Sequence, residues 1–325
     1  MRGVSVSRAG RTFFRGGSAS VDSVAALVGQ TPLVRLRAFE KDLPGVELWA
    51  KLESFNPGGS VKDRPALQMI REARDAGKLG GGRRLIDSTS GNTGIAYAWI
   101  GAALGLPITL VMPENVSAAR KQITSTFGAE LVFSDPMEGS DGAIRHARRL
   151  VEAEPDRWFY PDQYSNPGNP RAHELGTARE IWAQTRGRVT HFVCGLGTTG
   201  TAMGTSRGLK QQNPAIAVHA VQPAEPFHGL EGLKHLPSSI IPGIYDERGL
   251  DGTRRVSTDD GWDMSDRLAR EEGLFVGHSS GAALVGALEV AREAAEAGQQ
   301  AVVVTLFPDR ADRYFEPDRW EWEGR

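Results

Sequence analysis

Four short loops in this sequence gather glycine, hydroxyl and amide side chains, and one of them carries a lysine. The first is Asn56-Pro57-Gly58-Gly59-Ser60-Val61-Lys62-Asp63-Arg64. Its lysine falls in the first turn of a helical pattern, where a cation opposes the positive end of the helix dipole. That placement suits an amine kept neutral or tied up as an imine. The plain alternative is a solvated lysine beside Asp63. Gly-Lys-Ser/Thr is absent, so this is not a nucleotide P-loop. The second, Ser88-Thr89-Ser90-Gly91-Asn92-Thr93-Gly94, offers hydroxyls, an amide and backbone N–H groups where a helix opens. It reads either as a carboxylate cradle or as an ordinary cap with glycines for close packing. The third, Gly195-Leu196-Gly197-Thr198-Thr199-Gly200-Thr201, turns N–H and hydroxyl groups toward an anion, and a phosphate monoester is the natural guest. Gly195, Gly197 and Gly200 also satisfy the dinucleotide fingerprint. The next strand, however, ends Ala220-Val221-Gln222-Pro223, without the acid a ribose needs. The fourth, Gly277-His278-Ser279-Ser280-Gly281-Ala282, approaches a nucleophile elbow, but no histidine follows His278 to act as the base.

These loops need a rigid frame. Runs rich in Val, Ile, Leu and Phe at 47–53, 84–88, 108–112, 130–133, 191–194, 217–221, 274–276 and 301–306 read as strands buried on both faces. Helical windows lie at 62–76, 93–104, 117–127 with Ser117 as the N-cap, 141–154, 171–184, 200–212, 259–272 and 281–297. The alternation predicts an α/β protein with mostly parallel sheets and right-handed crossovers. Periodicity leaves a barrel and two smaller sheets both open. In open parallel sheets ligands gather beyond the C-terminal strand ends, where all four loops sit.

The chain has 325 residues, enough for one large or two ordinary domains. With 38 Lys+Arg against 40 Asp+Glu, the formal charge of −2 gives no reason to expect nucleic acid or an anionic membrane as partner. Cys194 is the sole cysteine, which excludes an internal disulfide framework and a cysteine zinc site. At the end of an apolar strand it reads as packing rather than a catalytic thiol. No metal is expected. Residues 88–113 carry no charge, but Gly91, Asn92, Gly94, Gly101, Gly105 and Pro107 divide them into two buried elements rather than a membrane span. Residues 1–21 hold four arginines and no acid until Asp22. That overlaps a transit peptide, and the favoured reading is a flexible or partner-clasping arm. The expected location is cytoplasmic.

Gln30-Thr31-Pro32-Leu33-Val34, the lysine loop, segment 89–94, Asp162-Gln163-Tyr164-Ser165-Asn166-Pro167, the threonine loop and segment 277–282 come in an order that resembles the fold-type II pyridoxal phosphate enzymes. Among them the chain looks most like the cysteine synthase (O-acetylserine sulfhydrylase) family, from about residue 30 to residue 314. The Pro113-Glu114-Asn115 turn and the threonine loop resemble the B-type members. The resemblance implies two open, mostly parallel α/β domains (tryptophan synthase β-like) with the cofactor in the cleft between them. A smaller, mobile, substrate-binding domain would span 55–166, and a larger cofactor-binding domain would combine 1–54 and 167–325. Lys62 would hold pyridoxal 5'-phosphate as an internal aldimine and later serve as acid and base. Asn92 would bond the phenolic oxygen. Gly197, Thr198, Thr199, Gly200 and Thr201 would hold the phosphate, and Ser279 would face the ring nitrogen. Thr89, Ser90, Gly91, Thr93 and Gln163 would bind the amino acid's carboxylate side, with Gly229 a further substrate contact.

A neutral serine at the ring nitrogen makes the ring a weaker electron sink and favours prompt loss of a β-leaving group. The α-aminoacrylate so formed would be attacked by a thiol. The implied activity is L-cysteine formation from O-acetylserine or O-phosphoserine with a sulfur donor. Other β-replacements, giving cystathionine or 2,3-diaminopropionate, and serine/threonine dehydration are the alternatives. A homodimer is the family expectation. His228, Lys234 and His235 would suit an anionic leaving group or donor. Asp309-Arg310-Ala311-Asp312-Arg313-Tyr314 departs from the family's frequent Asp-Ser-Gly-Glu-Arg-Tyr, and Trp320-Glu321-Trp322 has no assigned role.

Overall fold

The computed structural model describes residues 21–89 and 91–314. Among them ten strands form: β1 (Leu33–Arg35), β2 (Val46–Leu52), β3 (Arg84–Ser88), β4 (Ile108–Pro113), β5 (Glu130–Ser134), β6 (Trp158–Phe159), β7 (His191–Gly195), β8 (Ala217–Pro223), β9 (Gly252–Val256) and β10 (Ala301–Phe307). They make two sheets rather than a barrel, in the orders β1-β2-β10-β7-β8-β9 and β5-β4-β3-β6. All pairings are parallel except β1 against β2. The runs without alternation occupy inner positions: every residue of β4 and of β10 is buried, as a strand covered on both faces requires.

Nine helices flank the sheets among the described residues: α1 (Asp63–Asp75), α2 (Asn92–Leu104), α3 (Ala118–Thr126), α4 (Gly139–Ala153), α5 (Gly168–Ala172), α6 (Ala178–Gln184), α7 (Gly200–Gln212), α8 (Thr258–Glu272) and α9 (His278–Glu296). Each sheet is covered on both faces, which produces four apolar clusters. On the four-stranded sheet, α1 and α2 bury Met69, Ile70, Tyr97 and Ile100 against Leu85 and Leu110. On its other face Ala143 and Ala147 of α4 meet Ile86 and Val111. On the six-stranded sheet, α9 lays Leu284, Leu288 and Ala291 on Val193, Val221 and Val303. Opposite them, Ile181, Met203 and Leu209 of α6 and α7 cover Phe192, Val218 and Val304.

Several sequence expectations need correction. The run 274–276 is not a strand. It links the left-handed cap of α8 at Gly273 (φ 69°) to α9, and only Val276 pairs, in one bridge to Arg310. Leu274 and Val276 are apolar because they seal a helix–helix connection into the core. The window 171–184 is interrupted by a π-helical turn at His173–Thr177. Ser117 stands at the N-cap of α3, but its side chain makes no capping bond. As expected, the uncharged stretch 88–113 folds as two elements, α2 and β4, joined through a left-handed Gly105 (φ 66°). No described helix is long and apolar enough to cross a membrane. Residues 1–20, Ser90 and Trp320-Glu321-Trp322 lie outside the described residues.

Candidate active site

Lys62 is the N-cap residue of α1, so the preceding loop fixes where its amine stands. That loop is tied down from every side. Asn56 donates to the Glu53 carbonyl and to Glu53 Oε2, both at 2.9 Å, and its Oδ1 accepts from Gly29 N at 2.8 Å. Val61 N donates to Pro308 O at 2.8 Å, which sets the loop beside the end of β10. A side chain at Gly58 is excluded, because a Cβ there would fall 2.2 Å from Trp99 Nε1. Beneath the loop lies a buried charge cluster. Arg64 donates to Glu53 at 2.6 and 2.9 Å and to Glu180 at 2.7 and 2.9 Å. Lys51 Nζ meets Glu180 at 2.7 Å and donates to Thr31 O at 2.6 Å. Two cations and two carboxylates thus neutralise one another while clamping β2, α1 and α6 together. The Lys62 amine takes part in none of this. It makes no hydrogen bond or ion pair among the described residues, and burial pulls its pKa below that of an ordinary lysine, against the attraction of Asp309 and Glu53.

Two connected spaces meet at that amine. A narrow cavity is bounded by Lys62, Asn92, Gly197, Thr199, Thr201, Ser279 and Asp309. A cleft of about 370 Å³ opens beyond it, past Lys62, Thr89, Gly91, Asn92, Thr93, Gln163, Gly197 and Thr198. Every predicted site residue that is described touches one of the two, except Gly200 and Gly229. Gly200 backs the threonine loop as the first residue of α7. Gly229 faces α8 instead: its N–H donates to Thr258 Oγ1 at 3.0 Å and its carbonyl accepts from Trp262 Nε1 at 3.1 Å. Its neighbours Glu231, Gly232, Leu233 and Lys234 reach the cleft in its place. Of the three basic residues expected there, only Lys234 does so; His228 bonds Leu230 N and His235 bonds Ser238 within their own loop.

The threonine loop has the features of a phosphate cradle. It runs from β7 into the N-terminus of the 13-residue α7. Thr199 holds a left-handed conformation (φ 70°) that is costly for a non-glycine residue. Its Oγ1 is buried with no partner among the described residues. At Gly197 a Cβ would meet the Gly232 carbonyl at 2.4 Å, so the backbone is left bare toward the cavity. A buried orphan hydroxyl at a helix N-terminus and an unhindered backbone fit the phosphate end of pyridoxal phosphate. The free, desolvated Lys62 amine fits its aldehyde end, and the buried Ser279 stands on the same cavity. Cys194 forms part of the cavity wall, but burial pushes its thiol up to about 12, so it stays protonated.

Sequence reasoning missed the contribution of 308–314. Asp309 is buried, and burial raises its pKa. Asn92 Nδ2 donates to Asp309 Oδ2 at 2.5 Å. Tyr314 donates to the same carboxylate, and Arg313 donates to Asn92 Oδ1 and to the Gly58 carbonyl. The Asn92 amide is therefore oriented from the C-terminal side of the chain. The only signal in the sequence was the unusual 309–314 motif. At the cleft mouth Arg120 of α3 pairs with Glu231 and lies over the Tyr314 ring at 5.9 Å. On the amino-acid side Thr93 Oγ1 donates to Gln163 Oε1 at 2.9 Å, which joins the two polar walls expected for a carboxylate.

Comparison with known proteins agrees with this geometry. The family model described as pyridoxal-phosphate dependent enzyme matches residues 24–309. The chain is 55% identical over 295 residues to a cysteine synthase of Aquifex aeolicus (strain VF5), covering 90% of each chain. It is 44% identical over 292 residues to cysteine synthase B of Pseudomonas aeruginosa, covering 90% of this chain and 95% of that one. Among solved structures, the cysteine synthase of Entamoeba histolytica superposes with a TM-score of 0.89 at 32% identity, covering 97% of this chain and 96% of that one.

Proposed function

This chain belongs to the pyridoxal-phosphate dependent enzyme family, among the cysteine synthases, and from that premise we propose that it makes L-cysteine by β-replacement on an activated serine. The observation that carries the reading is the placement of the Lys62 amine. Free and desolvated, it stands where a phosphate cradle and a carboxylate cradle meet.

Pyridoxal phosphate, when bound, withdraws electrons from the bonds at the amino acid's Cα and so eases loss of the α-proton and of the β-substituent. The chain's own residues do the rest. Gly197, Thr198, Thr199, Gly200 and Thr201 would hold the cofactor's phosphate, and Ser279 would serve its ring nitrogen without adding charge. Thr89, Gly91, Thr93 and Gln163 take the substrate carboxylate, and Ser90 belongs to the same loop. Lys62 Nζ, uncharged in its buried place, accepts the proton from Cα as acetate or phosphate leaves Cβ with the bonding electrons. A sulfur nucleophile then bonds to Cβ and gives up its own proton, and Lys62 returns a proton to Cα. Water is excluded as the unit 55–166, which carries the four-stranded sheet, closes over the bound carboxylate. The protein works as a cytoplasmic homodimer.

A spectral titration tests the reading. The yellow protein receives O-acetylserine or O-phosphoserine without sulfur donor. A donor that is used shifts the visible absorbance, and sulfide restores it with release of one L-cysteine per site. The leaving group is the one whose serine ester produces that cycle. A colourless protein that takes up no pyridoxal phosphate, or a coloured one that releases keto acid and no cysteine, overturns it.

A further inference from the structure

Between the two cradles lies a side chain that neither needs by itself. Asn169, on α5, is 1% exposed. Its Nδ2 donates one hydrogen to the Gln163 carbonyl at 2.7 Å and the other to Thr198 Oγ1 at 3.0 Å. A backbone carbonyl can only accept, so the NH₂ end of the amide must face Gln163. Thr198 Oγ1 therefore accepts from Asn169, and it accepts again from Gly200 N at 3.4 Å. Both contacts use the oxygen's lone pairs, which leaves the hydroxyl hydrogen free to point into the cleft that Thr198 borders. The Asn169 Oδ1 is buried without a partner and lies against Gly200, where an added Cβ would fall 1.9 Å away. The same stretch of chain braces the last threonine of the loop too: His173 Nε2 lies 3.3 Å from Thr201 Oγ1.

We infer that Asn169 is a positioning residue that joins the two subsites. It turns the Thr198 hydroxyl into a donor aimed at the cofactor's phosphate, and it fixes the backbone of Gln163, whose side chain meets the amino acid. The inference rests on the proposed function and adds a residue to it. Gln163 follows the end of the four-stranded sheet and Thr198 the end of β7 in the other, so one amide sets the spacing between two ligand grips carried by separate sheets.

The test uses Asn169→Ala and Asn169→Asp, each with and without Thr198→Ala. Two quantities are read: the Kd of the apoprotein for pyridoxal phosphate, and the KM of the loaded protein for the serine ester. Loss of a buried donor predicts that Asn169→Ala weakens both by about tenfold. A residue that only fills space would tolerate the isosteric aspartate better than alanine. Here the aspartate accepts the Thr198 hydrogen and repels the Gln163 carbonyl, so Asn169→Asp binds the cofactor more weakly than Asn169→Ala, and that difference shrinks once Thr198 is alanine. The inference is overturned if alanine moves neither quantity or only one, if aspartate binds the cofactor as well as or better than alanine, or if the gap persists without Thr198. Should aspartate fail to fold, the joint shift in Asn169→Ala still decides. If the wild-type apoprotein itself takes up no pyridoxal phosphate, the proposed function fails instead.

Discussion

At Lys62 two physical pressures act in one direction. Burial removes water from the ammonium, and the N-terminus of α1 places positive potential beside it. Both favour the neutral amine that proton abstraction needs. With Lys62 in its proposed roles of acid–base group and cofactor anchor, Lys62→Ala should lower turnover at least a thousandfold, within the range for losing a general acid–base group, while circular dichroism stays native. The apoprotein should show the cost of that arrangement. With a lowered pKa, the folded chain binds fewer protons at Lys62 than the unfolded chain in the window between the lowered value and the ordinary one near 10.5. Stability from this site therefore rises with pH across that window and is lacking below it. Lys62→Ala apoprotein should melt no lower than wild type at pH 8, with its advantage shrinking toward pH 10. A mutant that melts well below wild type at pH 8 would contradict this.

The lysine loop is only as rigid as the strand and helices beneath it. The cluster of Lys51, Glu53, Arg64 and Glu180 ties β2, α1 and α6 at one buried point. Removing one partner leaves an unpaired buried charge, which costs about 3–5 kcal/mol. Glu53→Gln should lower the urea midpoint accordingly, and a change below about 1 kcal/mol would mean that water or rearrangement compensates. Both carboxylates of the cluster are held below their ordinary value, Glu53 as well as Glu180, so both carry its pH dependence. For Glu180, bonding and attraction from Arg64 and Lys51 overcome its desolvation and pull its carboxyl down to about 2. Its stabilising share is complete above the ordinary carboxyl value of 4.5 and is lost as pH falls through about 2. Not every element was legible beforehand. The edge strand β9, Gly-Thr-Arg-Arg-Val, hides its pattern because its exposed alternate positions are Thr253 and Arg255, while a second arginine, Arg254, fills a half-buried one and pairs with Glu293 of α9. The run 274–276 misled because apolar residues seal a connection as well as they build a strand.

Across the whole molecule the cleft is the junction of two separately covered sheets, and polar contacts of the described residues bridge its mouth. Arg120 and Glu231 make one of them, with side chains 25% and 53% exposed. Exposed pairs are worth about 0–1 kcal/mol, so this one is too weak to hold the protein folded, yet strong enough to bias the proposed closure. Arg120→Ala should raise the KM for the serine ester a few fold and leave the melting temperature nearly unchanged. Hydrogen exchange in α3 and the 224–243 loop should slow when the amino acid binds wild type, and less so in the variant. Equal protection in both would remove the pair from closure.

The amine, the threonine turn, the hydroxyl-and-amide loop and the serine turn were all readable from the chain, because each is local: a few residues with little room for Cβ atoms at the start of a helix, after a strand for the first three and after the α8–α9 link for the serine turn. The alternating order also carried the α/β class. Which loops meet was implied by the family resemblance and not by the periodicity, because strand neighbours are chosen across the whole chain, and only that choice separates two sheets from a barrel. Asp309 reaches Asn92 across 217 residues of sequence, Gly229 turns to α8 rather than to the cleft, and Asn169 gains its importance only where two sheets end side by side. Such contacts follow from packing, and packing is decided by the competition of all the apolar faces at once.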